Sequence, residues 1–332
     1  MTAADVTAPF DAVVEYPDRT VNPPAVRLGD MAIGDVSAVT VGDCTDLSFV
    51  DTGMYDTEAY GAVYLIDDDR PALVDTGIGT NHERVLDLVE EAGLDPEDIE
   101  VIALTHVHLD HAGGAGFLVE QCPNADVYVH SIGAPHVADP ERLWAGTKSA
   151  VGDQIDFYTE PEPVPEERIV EIEGGDSIDL GDHALDVYHA PGHAPHQVVF
   201  HDPENDAVFT ADAAGIYAPS REEVFPTSPP PNFDPEGCRT DIDTLREIGP
   251  EVLCYAHFGP AEAGDKLDRY ADVLDSWVEA VAAKRAELDD DAVIDHFVAE
   301  ADAERAVWGA TKADAEVAMN VRGVLTALDR GA

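Results

Sequence analysis

A chain of 332 residues, 45% of them apolar, is long enough to bury a sizeable core as one large α/β domain or one domain with an appendage. Its 69 acidic against 18 basic side chains leave a formal charge of −51, spread along the chain rather than gathered in a disordered tail; this argues against general binding to nucleic acid or to an anionic membrane surface. Molar salt shortens the Debye length to about 3 Å and makes such a charge tolerable, so the balance fits a halophilic, salt-filled cytosol.

An extended, proline-marked stretch opens the chain. Residues 1–14 carry acids where a signal peptide needs a basic region and an apolar run, and no segment approaches eighteen apolar residues, so the expected location is cytoplasmic. Short β-branched runs at Val36 to Val41, Ala62 to Ile66 and Ala72 to Val74 predict strands. Thr80 or Asn81 then caps a helix through Val85, Leu86, Leu88 and Val89 that ends at Gly93. The apolar run Ile99 to Leu104 predicts a buried strand leading into a histidine-rich loop at His106, and Gly113 and Gly114 open the helix after it.

Further strands are expected at Val127 to Val129, Ile169 to Ile172, Leu185 to Tyr188, Val198 to Phe200 and Ala207 to Thr210. Proline and glutamate make 161–167 irregular, and 220–235, with Pro229, Pro230 and Pro231, reads as a second irregular stretch. A helix with Leu245 and Ile248 leads to a strand at Val252 to Ala256. Beyond it, Leu267, Tyr270, Val273, Leu274, Trp277, Val278 and Val281 recur at helical spacing, and a further helical run covers roughly Asp291 to Leu328. The pattern divides the chain into an α/β unit, 1–262, which carries the candidate site residues, and a helical C-terminal extension, 263–332. Cys44, Cys122, Cys238 and Cys254 form no CxxC and read as buried small apolar residues.

Chemistry concentrates in Leu104-Thr-His-Val-His-Leu-Asp-His-Ala-Gly-Gly114, where His106, His108, Asp110 and His111 fall within six residues. At this chain's composition, three histidines and one acid so arranged are expected by chance about 0.004 times, so chance does not explain them. In an extended turn residues two apart face the same way, so His106 and His108 can face one ion, with Asp110 and His111 past the bend facing a second. A donor set of imidazole and carboxylate suits zinc, iron or manganese.

The T-H-x-H-x-D-H-x-G-G run, preceded by Leu73-Val-Asp75-Thr-Gly77, resembles the metallo-β-lactamase superfamily of the glyoxalase II-like kind. Ala190-Pro-Gly-His193, Phe209-Thr-Ala-Asp212 and Tyr255-Ala-His257-Phe-Gly259 resemble its later motifs, in the expected order, so the likeness spans residues 73–259. The resemblance implies a four-layer αββα sandwich and two divalent metal ions, zinc before iron or manganese. It puts His106, His108 and His193 at the first ion, Asp110, His111 and His257 at the second, and Asp212 between them. Asp75 would fix the loop from behind. The implied reaction is hydrolysis of a thioester, ester or lactone by a hydroxide bridging the two metals, with Asp110 orienting the nucleophile.

Where many relatives have glycine three residues after the third histidine, this chain has His196, which reads as a substrate-facing donor or proton shuttle, or as a hydrogen bond from behind a ligand. Tyr217, five residues past Asp212, is a candidate donor to a substrate oxygen. The segment through Phe225 and Phe233 reads as a pocket wall or as an ordered structural loop. Small-molecule substrates are the expected partners, and the helical extension can serve a homodimer partner or cover the pocket. A phosphodiesterase or RNA-processing enzyme of the same fold is the alternative, but no basic cluster supports it. A mono-iron, persulfide dioxygenase-like oxidoreductase is a further alternative, separable by metal occupancy.

Overall fold

The computed structural model describes Leu28 and residues 31–331; the proline-marked opening stretch before Leu28 lies outside the described residues. Seven strands form the first sheet in sequence order: β1 (Val36–Ala38), β2 (Leu47–Asp51), β3 (Ala62–Ile66), β4 (Ala72–Val74), β5 (Val101–Ala103), β6 (Asp126–His130) and β7 (Ile169–Ile172). The pairs from β1 to β4 are antiparallel and those from β4 to β7 parallel. The parallel half requires crossovers. They are supplied by α1 (His82–Glu91), by α2 (Leu109–Ala112) with α3 (Ala115–Gln121), and by α4 (Ala134–Ala138) with α5 (Glu141–Val151).

The second sheet contains β8 (Ser177–Asp179), β9 (Ala184–His189), β10 (Val198–Asp202) and β11 (Ala207–Ala211). After a small ribbon of β12 (Ile216–Ala218) and β13 (Glu223–Phe225), the chain adds α6 (Pro235–Ile248), β14 (Val252–Tyr255) and β15 (Gly259–Glu262). Spatial order is β15-β14-β11-β10-β9-β8. The chain closes with α7 (Lys266–Arg285), α8 (Asp290–Ala299) and α9 (Asp302–Arg330).

Successive strand side chains point to opposite faces, and both faces are apolar here. Tyr64, Ile66, Phe200, Phe209 and Cys254 meet between the sheets. Leu65, Leu73 and Ile102 turn outward under α1 and α3, whereas Val199, Val208 and Leu253 turn outward under α6, α7 and α9. The result is the expected helix–sheet–sheet–helix arrangement with a C-terminal helical region, in which the last helices share one core with the second sheet.

Three details differ from the expectations. The irregular stretch 220–235 contains β13, which pairs antiparallel with β12. The run from Asp291 to Leu328 is two helices, α8 and α9, with a further break at Gly309, whose φ of +74° leaves the helical region. Cys44 is only half-buried, while Cys122, Cys238 and Cys254 are buried. Among the described residues no helix is long and apolar enough to cross a membrane.

Strand register brings the functional loops to one edge. Val74 lies opposite Ala103 in the parallel β4–β5 pair, so Asp75 and the histidine loop leave the sheet together. Ala211 lies opposite Tyr255 in the parallel β11–β14 pair, so Asp212 and His257 leave the other sheet together.

Candidate metal centre

The histidine loop is tied to β4 before any side chain is considered. Asp75 accepts the Thr105 backbone N–H at 2.8 Å and its hydroxyl at 2.9 Å, and its other oxygen lies 2.9 Å from His111 Nδ1. Gly114 is required by close approach, since a Cβ there would sit 2.5 Å from the Thr76 carbonyl oxygen. The loop carrying His193 is held similarly: a Cβ on Gly192 would meet the Cys238 nitrogen at 2.1 Å, and the Gly192 N–H donates to Asp241 on α6 at 2.7 Å.

All seven residues proposed from the sequence converge. His106 Nε2 and His193 Nε2 lie 3.1 and 3.0 Å from His108 Nδ1. Asp212 Oδ2 is 3.5 Å from His106 Nε2, 3.5 Å from His193 Nε2 and 3.2 Å from His111 Nε2, and its Oδ1 is 3.7 Å from His257 Nε2. Asp110 Oδ2 lies 3.8 Å from the same His257 nitrogen. Three groups result, each with donor atoms mutually within 4.8 Å: His106, His108 and His193; His106, His111 and Asp212; Asp110, His111 and His257. Asp212 stands between the two ends of the cluster.

The arrangement fits cations. A tetrahedral ion with nitrogens at about 2.0–2.1 Å sets those nitrogens about 3.3 Å apart, close to the spacing here. Hydrogen bonding alone does not satisfy the cluster, because His108 Nδ1 offers one proton or one lone pair to two ring nitrogens and pairs fully with only one of them. His111 Nε2, buried, makes no hydrogen bond of good geometry. Burial, and then the neighbouring imidazoles, push His106 far below its ordinary pKa; burial and His193 bring His108 down to about 4. Burial also lowers His193. Although burial pulls the other way, the surrounding histidines hold Asp212 well below the usual carboxylate range and lower Asp110. Neutral imidazoles and ionised carboxylates are the forms that bind metal; His111 is the exception, since, although burial pulls the other way, Asp75 and Asp212 hold it protonated, so an ion there would have to displace that proton.

The Asp241 support carries a pH dependence. Burial pushes its carboxyl up to about 7 from 3.8. A folded pKa above the unfolded one means that the folded chain holds the proton more tightly, so the stability from this group is complete below about pH 4 and is lost as pH rises through about 7. Asp51, raised by burial to about 6, adds a loss with the same sign. Asp241→Asn keeps an acceptor for Gly192, and its unfolding free energy should fall less between pH 4 and pH 8, by a few kcal/mol. Parallel urea-unfolding profiles for variant and parent would contradict this.

A cavity with about 560 Å³ of atom-free space opens over the cluster. His108, Asp110, His193, Asp212 and His257 form its floor, and Thr227, Pro229 and Pro230 from the proline-rich segment form one wall. His196 is not part of the lining. It is buried beneath the loop, its Nδ1 accepting the Val107 N–H at 3.4 Å and its ring parallel to His106 with centroids 6.0 Å apart. Tyr217 is not brought to the cavity either: its ring stacks on Tyr255, 5.2 Å between centroids, in the core under α7. The structure instead supplies phenols from elsewhere, Tyr55, Tyr60 and Tyr158, together with Glu316 and Met319 of α9. Tyr55 and Tyr158 share a hydrogen bond of 2.5 Å across 103 residues. No local pattern announces such pairings.

A family model for the metallo-beta-lactamase superfamily matches residues 56–257, and the chain belongs to that superfamily. It is 28% identical over 222 residues to the metallo-beta-lactamase fold-containing protein ST1585 of Sulfurisphaera tokodaii, covering 65% of this chain and 79% of that one. An acyl-coenzyme A thioesterase MBLAC2 of Gallus gallus is 29% identical over 175 residues, 48% of this chain and 58% of its own length. A hydroxyacylglutathione hydrolase of Erythrobacter litoralis is 26% identical over 186 residues, 54% and 59%. The crystal structure of the archaeal ST1585 superposes with a TM-score of 0.62 at 22% identity over 85% of this chain and 99% of that one, a likeness of fold.

Proposed function

We propose that the protein is a metal-dependent hydrolase that cleaves a thioester, ester or lactone, and that His106, His108, His193 and Asp212, with Asp110, His111 and His257, hold two divalent ions, zinc foremost. The observation that carries the reading is the convergence of seven buried or half-buried side chains from four separate stretches of chain into one cluster, five of them on the cavity floor. Two such ions would supply a solvent nucleophile of lowered pKa and Lewis-acid polarisation of the scissile carbonyl. Asp110, at the cavity floor, accepts a hydrogen bond from the attacking solvent and so aims it. Tyr55 and Tyr158 line the same cavity with their hydroxyls paired, so one of them keeps a proton to donate to a substrate carbonyl oxygen. His196 holds the Val107 backbone in place beneath the ligands.

The relatives include a thioesterase and a hydroxyacylglutathione hydrolase by name, which supports a carbonyl substrate. Among the described residues no lysine or arginine lines the cavity, which disfavours a phosphodiester. The boundary near residue 262 separates the residues that hold the ions from a helical extension whose α9 adds Glu316 and Met319 to the cavity wall. The acidic surface fits a salt-rich cytoplasm.

Metal analysis of protein kept in molar KCl, combined with a screen of thioesters, lactones and phosphodiesters, tests the reading. Two ions per chain with turnover of a carbonyl ester is the expected result. Activity confined to phosphodiesters, or one iron with oxygen consumption, would overturn it.

A further inference from the structure

Lys312, Glu316 and Asn320 recur every four residues on α9, so they share one helix face, and all three are buried. Withdrawing an ammonium and a carboxylate from water costs more than their attraction usually returns, so such a pair is weak evidence of a stabilising role. This pair lies beside the cavity. Glu316 Oε2 takes Lys312 Nζ at 2.6 Å and the Tyr60 hydroxyl at 3.0 Å, while Oε1 takes Asn320 Nδ2 at 3.0 Å. Lys312 Nζ stands 4.1 Å from the Tyr60 ring centroid, and the Trp308 ring meets Tyr60 edge-on at 5.7 Å. Tyr60 in turn reaches His257. Its carbonyl accepts the His257 Nδ1–H at 3.0 Å, and the two rings lie 5.1 Å apart.

That hydrogen bond fixes the tautomer, leaving the Nε2 lone pair of His257 toward Asp110 and Asp212. We infer that Glu316 and Lys312 are positioning residues for His257: they clamp Tyr60, Tyr60 sets the imidazole, and α9 is thereby needed for full affinity at the ion position built from Asp110, His111 and His257. The inference rests on the two-metal reading. It assigns the C-terminal helix a role at one ion position and none at the other, because no comparable contact links α9 to His106, His108 or His193 among the described residues.

Two variants test it. Lys312→Met/Glu316→Leu removes both charges together, so no buried ion is stranded, and Tyr60→Phe removes only the hydroxyl. Full-length proteins in molar KCl are loaded with Co²⁺, titrated with a competing chelator, and followed by metal content and by visible cobalt absorption. The parent is expected to hold two ions; in both variants one ion should bind roughly tenfold more weakly and the other as in the parent. Near-UV circular dichroism reports whether the double variant folds, and should it fail, Tyr60→Phe decides. Unchanged affinity for both ions overturns the inference, as does equal weakening of both with a lower melting temperature, the mark of a merely structural clamp. A parent holding fewer than two ions refutes the two-metal reading itself, a failure visible without either variant.

Discussion

Replacing Asp212 by alanine is expected to lower kcat by about three orders of magnitude or more while leaving the chain folded. Its two oxygens face His106, His193 and His111 on one side and His257 on the other, so among the described residues it is the one carboxylate that touches both ends of the cluster. Losing it removes charge compensation from both ion positions, and each loss of about 1.4 kcal/mol in transition-state stabilisation is tenfold in rate. The fold should survive, because Asp212 sits at the end of β11 and outside the apolar layers that hold the sheets together. Steady-state kinetics on the best substrate, with near-UV circular dichroism as the control for folding, gives the answer. Asp110→Ala should also lose turnover, since it takes one carboxylate from the ion position that Asp110 shares with His111 and His257. Full turnover by either variant with both ions bound would remove the assigned roles.

Raising KCl from 0.1 M to 2 M is expected to raise the melting temperature by roughly 15 °C or more. The 18 basic residues cannot offset 69 acids, and several are already committed to exposed pairs, among them Arg246 with Asp268 at 2.6 Å and Arg269 with Asp265 at 2.9 Å. Salt weakens such pairs, but each contributes only about 0–1 kcal/mol. Relief of repulsion among the remaining acids acts over the whole surface and outweighs that loss. Thermal unfolding followed by circular dichroism at the two salt concentrations measures the difference; equal melting temperatures would contradict adaptation to salt.

What the sequence made legible follows from how local each signal is. His106, His108, Asp110 and His111 occupy one turn, so their alignment is written in spacing alone, and the strands that deliver them are uninterrupted apolar runs such as Val101–Ala103 and Val252–Tyr255. β2 was harder to see because buried Ser48 and Asp51 interrupt its apolar character. The break between α8 and α9 falls at Glu300 and Ala301, where neither glycine nor proline marks it. Tyr217 misled because distance along the chain from Asp212 says nothing of direction: β12 carries its ring onto Tyr255, away from the cavity. Tyr60 was invisible for the opposite reason, since its partner Glu316 lies 256 residues away and only the packing of α9 brings them together.

On the proposed reading two cations share the floor of the cavity. Crystals grown in molar salt with zinc, measured on both sides of the zinc absorption edge, test it most directly. Two anomalous peaks are expected about 3.5–4 Å apart, one enclosed by His106, His108 and His193, the other by Asp110, His111 and His257, with Asp212 reaching both. A single peak, or these side chains turned away from one another in zinc-soaked crystals, would contradict it.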